Sequence, residues 1–75
     1  MKISVLGAGR WASCIAFCLN RNKHDVLMWD LPPVDGKETN PLFVNRKNEF
    51  MTLPKKIDLT HDLTKALNFG EVVVI

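Results

Sequence analysis

Residues Lys2–Ala12 read K-I-S-V-L-G-A-G-R-W-A, and this stretch decides the fold. Its first half, Lys2–Leu6, is short, apolar and rich in β-branched residues, the pattern of a buried strand. Gly7-Ala8-Gly9-Arg10-Trp11-Ala12 follows at once, with the form G-x-G-x-x-A, and opens a helical pattern. In that context the motif is a dinucleotide-binding fingerprint, and each position has a task. Gly7 makes the tight turn from strand to helix. Gly9 lets a pyrophosphate approach the backbone without meeting a Cβ. Ala12 keeps the side chain small where helix and strand pack closely. The N–H groups at the helix start, around Arg10–Ala12, then face the phosphates, with the helix dipole in support.

Working outward, a helix is expected over residues 10–20. Trp11, Ile15, Cys18 and Leu19 recur at helical spacing as its apolar face, and Ala12, Cys14 and Ala16 allow close packing. Asn20 and Asn22 are the expected exit, because Asn tolerates the left-handed conformation. Asp25–Trp29 is a second strand, and the segment between the strands is long enough for a right-handed parallel crossover. It ends at Asp30, which lies about 20 residues beyond the glycines. A carboxylate there accepts the ribose hydroxyls of an adenosine and repels a 2′-phosphate. Leu31-Pro32-Pro33 offers no Arg or Lys to hold such a phosphate, so NAD is predicted over NADP.

The remainder reads as a Pro-rich loop over Leu31–Pro41 and a short helix over Pro41–Lys47. A third strand is expected at Lys56–Thr60 and a helix at His61–Asn68, capped by Thr60 or Asp62 and carrying Leu63 and Leu67 on one face. Gly70 stops that helix, and Glu71–Ile75 is a fourth strand. The alternation predicts an α/β fold: a Rossmann-like open parallel sheet of order 3-2-1-4 with flanking helices.

Composition bounds the rest. With 75 residues, 47% hydrophobic and 24% charged, the chain holds at most one small globular domain. A net charge of +2 gives no argument for a nucleic-acid or membrane-surface partner. No apolar run approaches the ~20 residues of a membrane span. Two cysteines and no export signal predict a reducing, cytoplasmic setting. The chain ends on an apolar strand, and residues 1–75 are therefore expected to be the N-terminal part of a larger dinucleotide-binding domain.

Several residues receive plainer readings. Cys14 and Cys18 stand four apart on the first helix, but His24 and His61 are remote, so core packing is expected and no metal site. His24 is placed in the helix-to-strand turn and His61 at a helix start. Arg46-Lys47 and Lys55-Lys56 read as solvated faces. Trp29 is expected to pack beside the adenine pocket, and Phe50 to join the core or stack near adenine.

The sequence also resembles a known family. Lys2–Ala12, L-M-W at Leu27–Trp29, V-N-R-K-N at Val44–Asn48, and L-P-K-K-I-D-L-T-H-D-L-T-K-A-L at Leu53–Leu67 are similar to the N-terminus of the NAD(P)-dependent glycerol-3-phosphate dehydrogenases of bacterial type. The resemblance covers essentially the whole chain. It implies reversible hydride transfer between dihydroxyacetone phosphate and sn-glycerol 3-phosphate, feeding phospholipid synthesis. It also implies that Arg10 and Trp11 contact the cofactor through the glycine turn. Three departures stand out. Ala12 replaces the usual Gly, Asp30-Leu31 replaces a stretch that often carries a basic residue, and a single Leu-Pro suggests a shortened loop. The family's catalytic lysines and substrate-phosphate site lie beyond the fourth strand, so no catalytic residue is assigned here and the 75 residues alone are expected to be inactive. The parent's substrates are expected to be small molecules, with a homodimer left open. Two alternatives also stay open: another dehydrogenase of the β-hydroxyacid type, and a non-catalytic NAD-sensing regulatory domain.

Overall fold

A computed structural model describes residues 1–75. The elements run β1 (Lys2–Leu6), α1 (Arg10–Arg21), β2 (Asp25–Trp29), α2 (Pro41–Asn45), β3 (Asp58–Thr60), α3 (Leu63–Phe69) and β4 (Val72–Val74). The four strands form one sheet of order β3-β2-β1-β4, and every pair is parallel. The expected α/β class and strand order are therefore those of the folded chain.

Register explains where a site must lie. Leu6 stands opposite Trp29, and Trp29 stands opposite Thr60. Three parallel strands thus end level, and the segments that leave them, at Gly7, Asp30 and His61, emerge along one edge. Residue alternation sorts the core into two layers. Ile3, Val5, Val26 and Met28 project to one face, where Ala8, Ala16, Leu42, Leu53 and Ile57 complete the main cluster. Ser4 and Leu27 project to the other face, and the Ser4 hydroxyl donates to the Ala66 carbonyl of α3 at 2.5 Å. Burying side chains the size of Leu42 and Ile57 contributes about 1.5–3 kcal/mol each.

The helices sit differently from expectation. In α1 the buried residues are Ser13 and Ala16, with Ala12 and Leu19 packed beside them. Trp11 is 81% exposed, and Ile15, Cys14 and Cys18 also face outward. Small residues let the helix axis approach the sheet, so the bulky stripe is turned away and the cysteines are not core residues. The helix exit uses no left-handed Asn. Lys23 takes φ +69, while the Asn22 amide donates to the Cys18 carbonyl at 2.8 Å.

Similar shifts occur later in the chain. α2 is shorter than expected and ends at Arg46, which adopts φ +63. That residue is not a solvated cation: its guanidinium donates to the Pro54 carbonyl at 2.8 Å and the Ile57 carbonyl at 2.5 Å. β3 loses Lys56 and Ile57 to a turn in which the Ile57 N–H bonds Pro54. α3 starts at Leu63, capped by Asp62, and buries Ala66 while Leu63 and Leu67 face outward. Gly70 does more than end that helix. A Cβ there would fall 2.7 Å from the Ser4 nitrogen and 2.6 Å from the Val72 carbonyl oxygen, so β1 and the entry to β4 meet only across a glycine.

Candidate functional site

The glycine turn begins at Gly7, whose φ of +135 lies in the region that disfavours side chains, and whose N–H bonds the Trp29 carbonyl at 2.6 Å. A Cβ built on Gly7 would meet the Ala12 Cβ at 3.5 Å, so strand end and first helical turn lie in contact at this pair. Gly9 is the α1 N-cap with extended backbone and no side-chain cap, and a Cβ there would meet nothing within 4 Å. The space in front of Gly9 is open. The N–H groups of Arg10, Trp11 and Ala12 belong to the first helical turn and have no intrahelical acceptor. Turn, open approach and unpaired donors together fit a bound pyrophosphate.

A cleft of about 390 Å³ opens at this turn, walled by residues 8–10, 39–41 and 48–50. The Arg10 guanidinium lies over the Phe50 ring at 4.4 Å, a cation–π contact at the rim. Phe50 is 56% exposed and is therefore not a core residue. The Trp11 side chain turns away from the cleft and, with Arg10, Cys14 and Phe50, lines a separate shallow groove of about 200 Å³. Trp11 is not part of the cleft wall.

Asp30 lies at the β2 end, half-buried, with its N–H bonded to the Thr60 carbonyl at 3.2 Å. It does not itself wall the cleft. Its Oδ2 accepts from the Asn40 amide at 2.9 Å, and Asn40 does wall the cleft. Gly7, Gly9, Arg10, Trp11, Ala12 and Asp30, taken together from spacing alone, thus gather along one sheet edge, joined by a residue that spacing did not single out. The same Asn40 amide donates to the Ala8 carbonyl at 3.1 Å, and its Oδ1 caps α2 through the Leu42 N–H at 3.0 Å. The Asn40-Pro41 dipeptide carried a legible signal, since Asn at N-cap followed by Pro at N1 marks a helix start.

A second group missed by spacing braces the edge. The His61 ring stacks on Phe43, with centroids 4.1 Å apart and planes 13° apart. Its Nδ1 bonds the Asp30 carbonyl at 3.0 Å and its Nε2 contacts the Glu38 carboxylate. Since both ring nitrogens face acceptors, the doubly protonated ring suits the site. The Asp30 carbonyl holds the His61 pKa above its ordinary value against the opposing effect of burial, with Glu38 adding to the rise. Burial pushes the Glu38 carboxyl up, but the Asn40 N–H and His61 outweigh it and the net shift is downward. Trp29 closes the arrangement: its indole N–H donates to the His61 carbonyl at 3.0 Å. Asn48 shapes the third wall, its Oδ1 accepting from the Phe50 and Met51 N–H groups. No group of three or more His, Cys, Asp or Glu is placed to hold a metal ion.

Comparison with known proteins places the chain in a family. The chain is 40% identical over its full length to a glycerol-3-phosphate dehydrogenase [NAD(P)+] of Thermoanaerobacter sp. (strain X514), of which it covers 23%. It is 37% identical, over 99% of its length, to the protein of the same name from Lysinibacillus sphaericus (strain C3-41), covering 22% of it. A Fusobacterium nucleatum protein of that name is 33% identical over 79 aligned residues and is covered to 23%. The chain thus spans less than a quarter of the length of these relatives. No solved structure matches it. Residues 2–75 match the family described as NAD-dependent glycerol-3-phosphate dehydrogenase N-terminus, and the chain belongs to that family.

Proposed function

We propose that the chain is the cofactor-binding segment of a cytoplasmic NAD-dependent glycerol-3-phosphate dehydrogenase that supplies phospholipid synthesis. In the full-length protein, dihydroxyacetone phosphate, NADH and a proton would be converted reversibly to sn-glycerol 3-phosphate and NAD. The bound nicotinamide supplies or accepts the hydride. Gly7 and Ala12 set the turn, Gly9 leaves room for the pyrophosphate, and the backbone of Arg10 and Trp11 donates to it. Asp30 takes the ribose hydroxyls. The general acid that the carbonyl oxygen requires is assigned to the part of the relatives outside the 75 residues, so this segment alone should not turn over substrate.

One observation carries the reading: an open approach at Gly9, with the Asp30 carboxylate tied to the same turn through Asn40, along one edge of a parallel sheet. The preference for NAD over NADP is argued from charge. Asp30 repels a 2′-phosphate, and the exposed Leu31 next to it offers no cation. The test is NADH oxidation by the full-length protein with dihydroxyacetone phosphate, with NADPH in parallel and with Asp30→Ala and Leu31→Arg variants. Turnover preferring NADH, with the preference reduced in both variants, is expected. Turnover preferring NADPH would keep the enzyme and remove the role given to Asp30. NADH binding without turnover would remove the substrate.

A further inference from the structure

Asn40, half-buried at the N-cap of α2, makes an unusual set of bonds. One side chain reaches the carboxylate of Asp30, the carbonyl of Ala8 in the glycine turn, and the first turn of α2. It therefore ties together the end of β2, the start of the phosphate turn and the opposite wall of the cleft. The two ends of its amide are used differently. Nδ2, with two hydrogens, serves Asp30 and Ala8; Oδ1 serves Leu42.

The consequence falls on Asp30. A carboxylate on a strand end rotates about χ2, and only some rotations aim an oxygen at ribose hydroxyls. With Oδ2 occupied by the Asn40 amide, that rotation is set, and Oδ1 has no hydrogen-bond partner within the chain. One oxygen is thus held and the other is left for ligand. Because Nδ2 also holds Ala8, the distance from the glycine turn to the carboxylate is fixed by one rigid planar group.

We propose that Asn40 is a positioning residue that aims the Asp30 carboxylate at the cofactor ribose and so sets the discrimination between NADH and NADPH. This rests on the reading of Asp30 given above. The charged groups around it are Asp30 just after β2, Glu38 in the preceding loop, His61 after β3, and Arg10 and Glu49 at the cleft walls. None replaces the amide: the carboxylates carry no donor, His61 already spends Nδ1 on the Asp30 carbonyl, and the Arg10 guanidinium lies over the Phe50 ring.

Two variants test it in the full chain, with NADH and NADPH affinities measured by fluorescence titration. Asn40→Ser keeps an acceptor suited to capping α2 but cannot reach Asp30. Its NADH affinity should fall about tenfold with NADPH affinity little changed, the size expected for losing one charge-assisted hydrogen bond. Asn40→Asp keeps shape and cap but sets one carboxylate against another. Its NADH affinity should recover as pH is lowered and the pair comes to share a proton, a profile that loss of packing would not produce. Equal weakening of NADH and NADPH in Asn40→Ser, or a pH profile in Asn40→Asp parallel to that of the unaltered protein, would overturn the proposal. So would loss of folded protein in both, which would make Asn40 a stability residue. Asp30→Ala separates the underlying reading: if it leaves the NADH-to-NADPH ratio unchanged, the ribose is not at Asp30, and the role of Asn40 falls with it.

Discussion

At the residue scale, the two glycines of the turn differ in what they tolerate. Gly7 needs its φ of +135, so its constraint belongs to the fold. Gly9 has an ordinary φ of −89 and open space where a Cβ would stand, so its constraint belongs to the ligand. Gly9→Val should therefore cost no more than about 1 kcal/mol of stability, the loss of a favoured N-cap residue, while abolishing NADH binding. Differential scanning calorimetry beside a binding titration checks this. A large fall in stability would show that Gly9 is held by the fold after all. Gly7→Ala should destabilise by about 1–3 kcal/mol, since Ala at positive φ is strained.

Elements in this protein are short, and side chains outside them do much of the holding. β3 is three residues long, and the chain before it is anchored by Arg46, whose guanidinium closes onto the Pro54 and Ile57 carbonyls. Hydrogen bonds from charged donors contribute about 1.5–3 kcal/mol each, and a pair sharing one donor is less than additive. Arg46→Ala should lower unfolding free energy by about 2–4 kcal/mol, read as a lower urea midpoint at unchanged slope. Arg46→Lys should recover part of the loss, because both bonds leave one terminal nitrogen that an ammonium can replace, though on a shorter side chain. No recovery would mean that the left-handed backbone at Arg46, more than its head group, is what matters.

Across the whole molecule, the edge that carries the cleft is braced by an ion pair with a defined pH window. His61 has its pKa raised above 6.5, so its stabilising effect is full below 6.5 and fades as pH rises through the folded value. Glu38 has its pKa lowered below 4.5, so its effect is full above 4.5 and fades as pH falls through the folded value. Both act between pH 4.5 and 6.5. The melting temperature should decline on the alkaline side of that window, and His61→Gln should flatten the decline. An unchanged profile in that variant would place the alkaline loss elsewhere. Both partners remain partly exposed, so the effect is expected to be modest and salt-sensitive.

The amino-acid sequence by itself determined the sheet and the turn. Strand runs at Lys2–Leu6 and Asp25–Trp29 are local hydrophobic patterns, and Gly7, Gly9 and Ala12 encode a turn whose geometry is set within a few residues. Parallel order followed from the right-handed crossover, a rule of chain geometry. Which face of α1 is buried was not legible, because Trp11 and Ile15 satisfy the same helical period as Ser13 and Ala16. Only contact with the sheet chose the small residues. The cleft walls were not legible either. Asn40, of the cleft wall, and His61, which braces it, are distant in sequence from the glycine turn and meet Asp30 because parallel strands of matched register end level. Periodicity and turn chemistry are local quantities that a sequence displays directly; the partners of a polar side chain across a sheet edge are set by register and loop path, which exist only once the chain has folded.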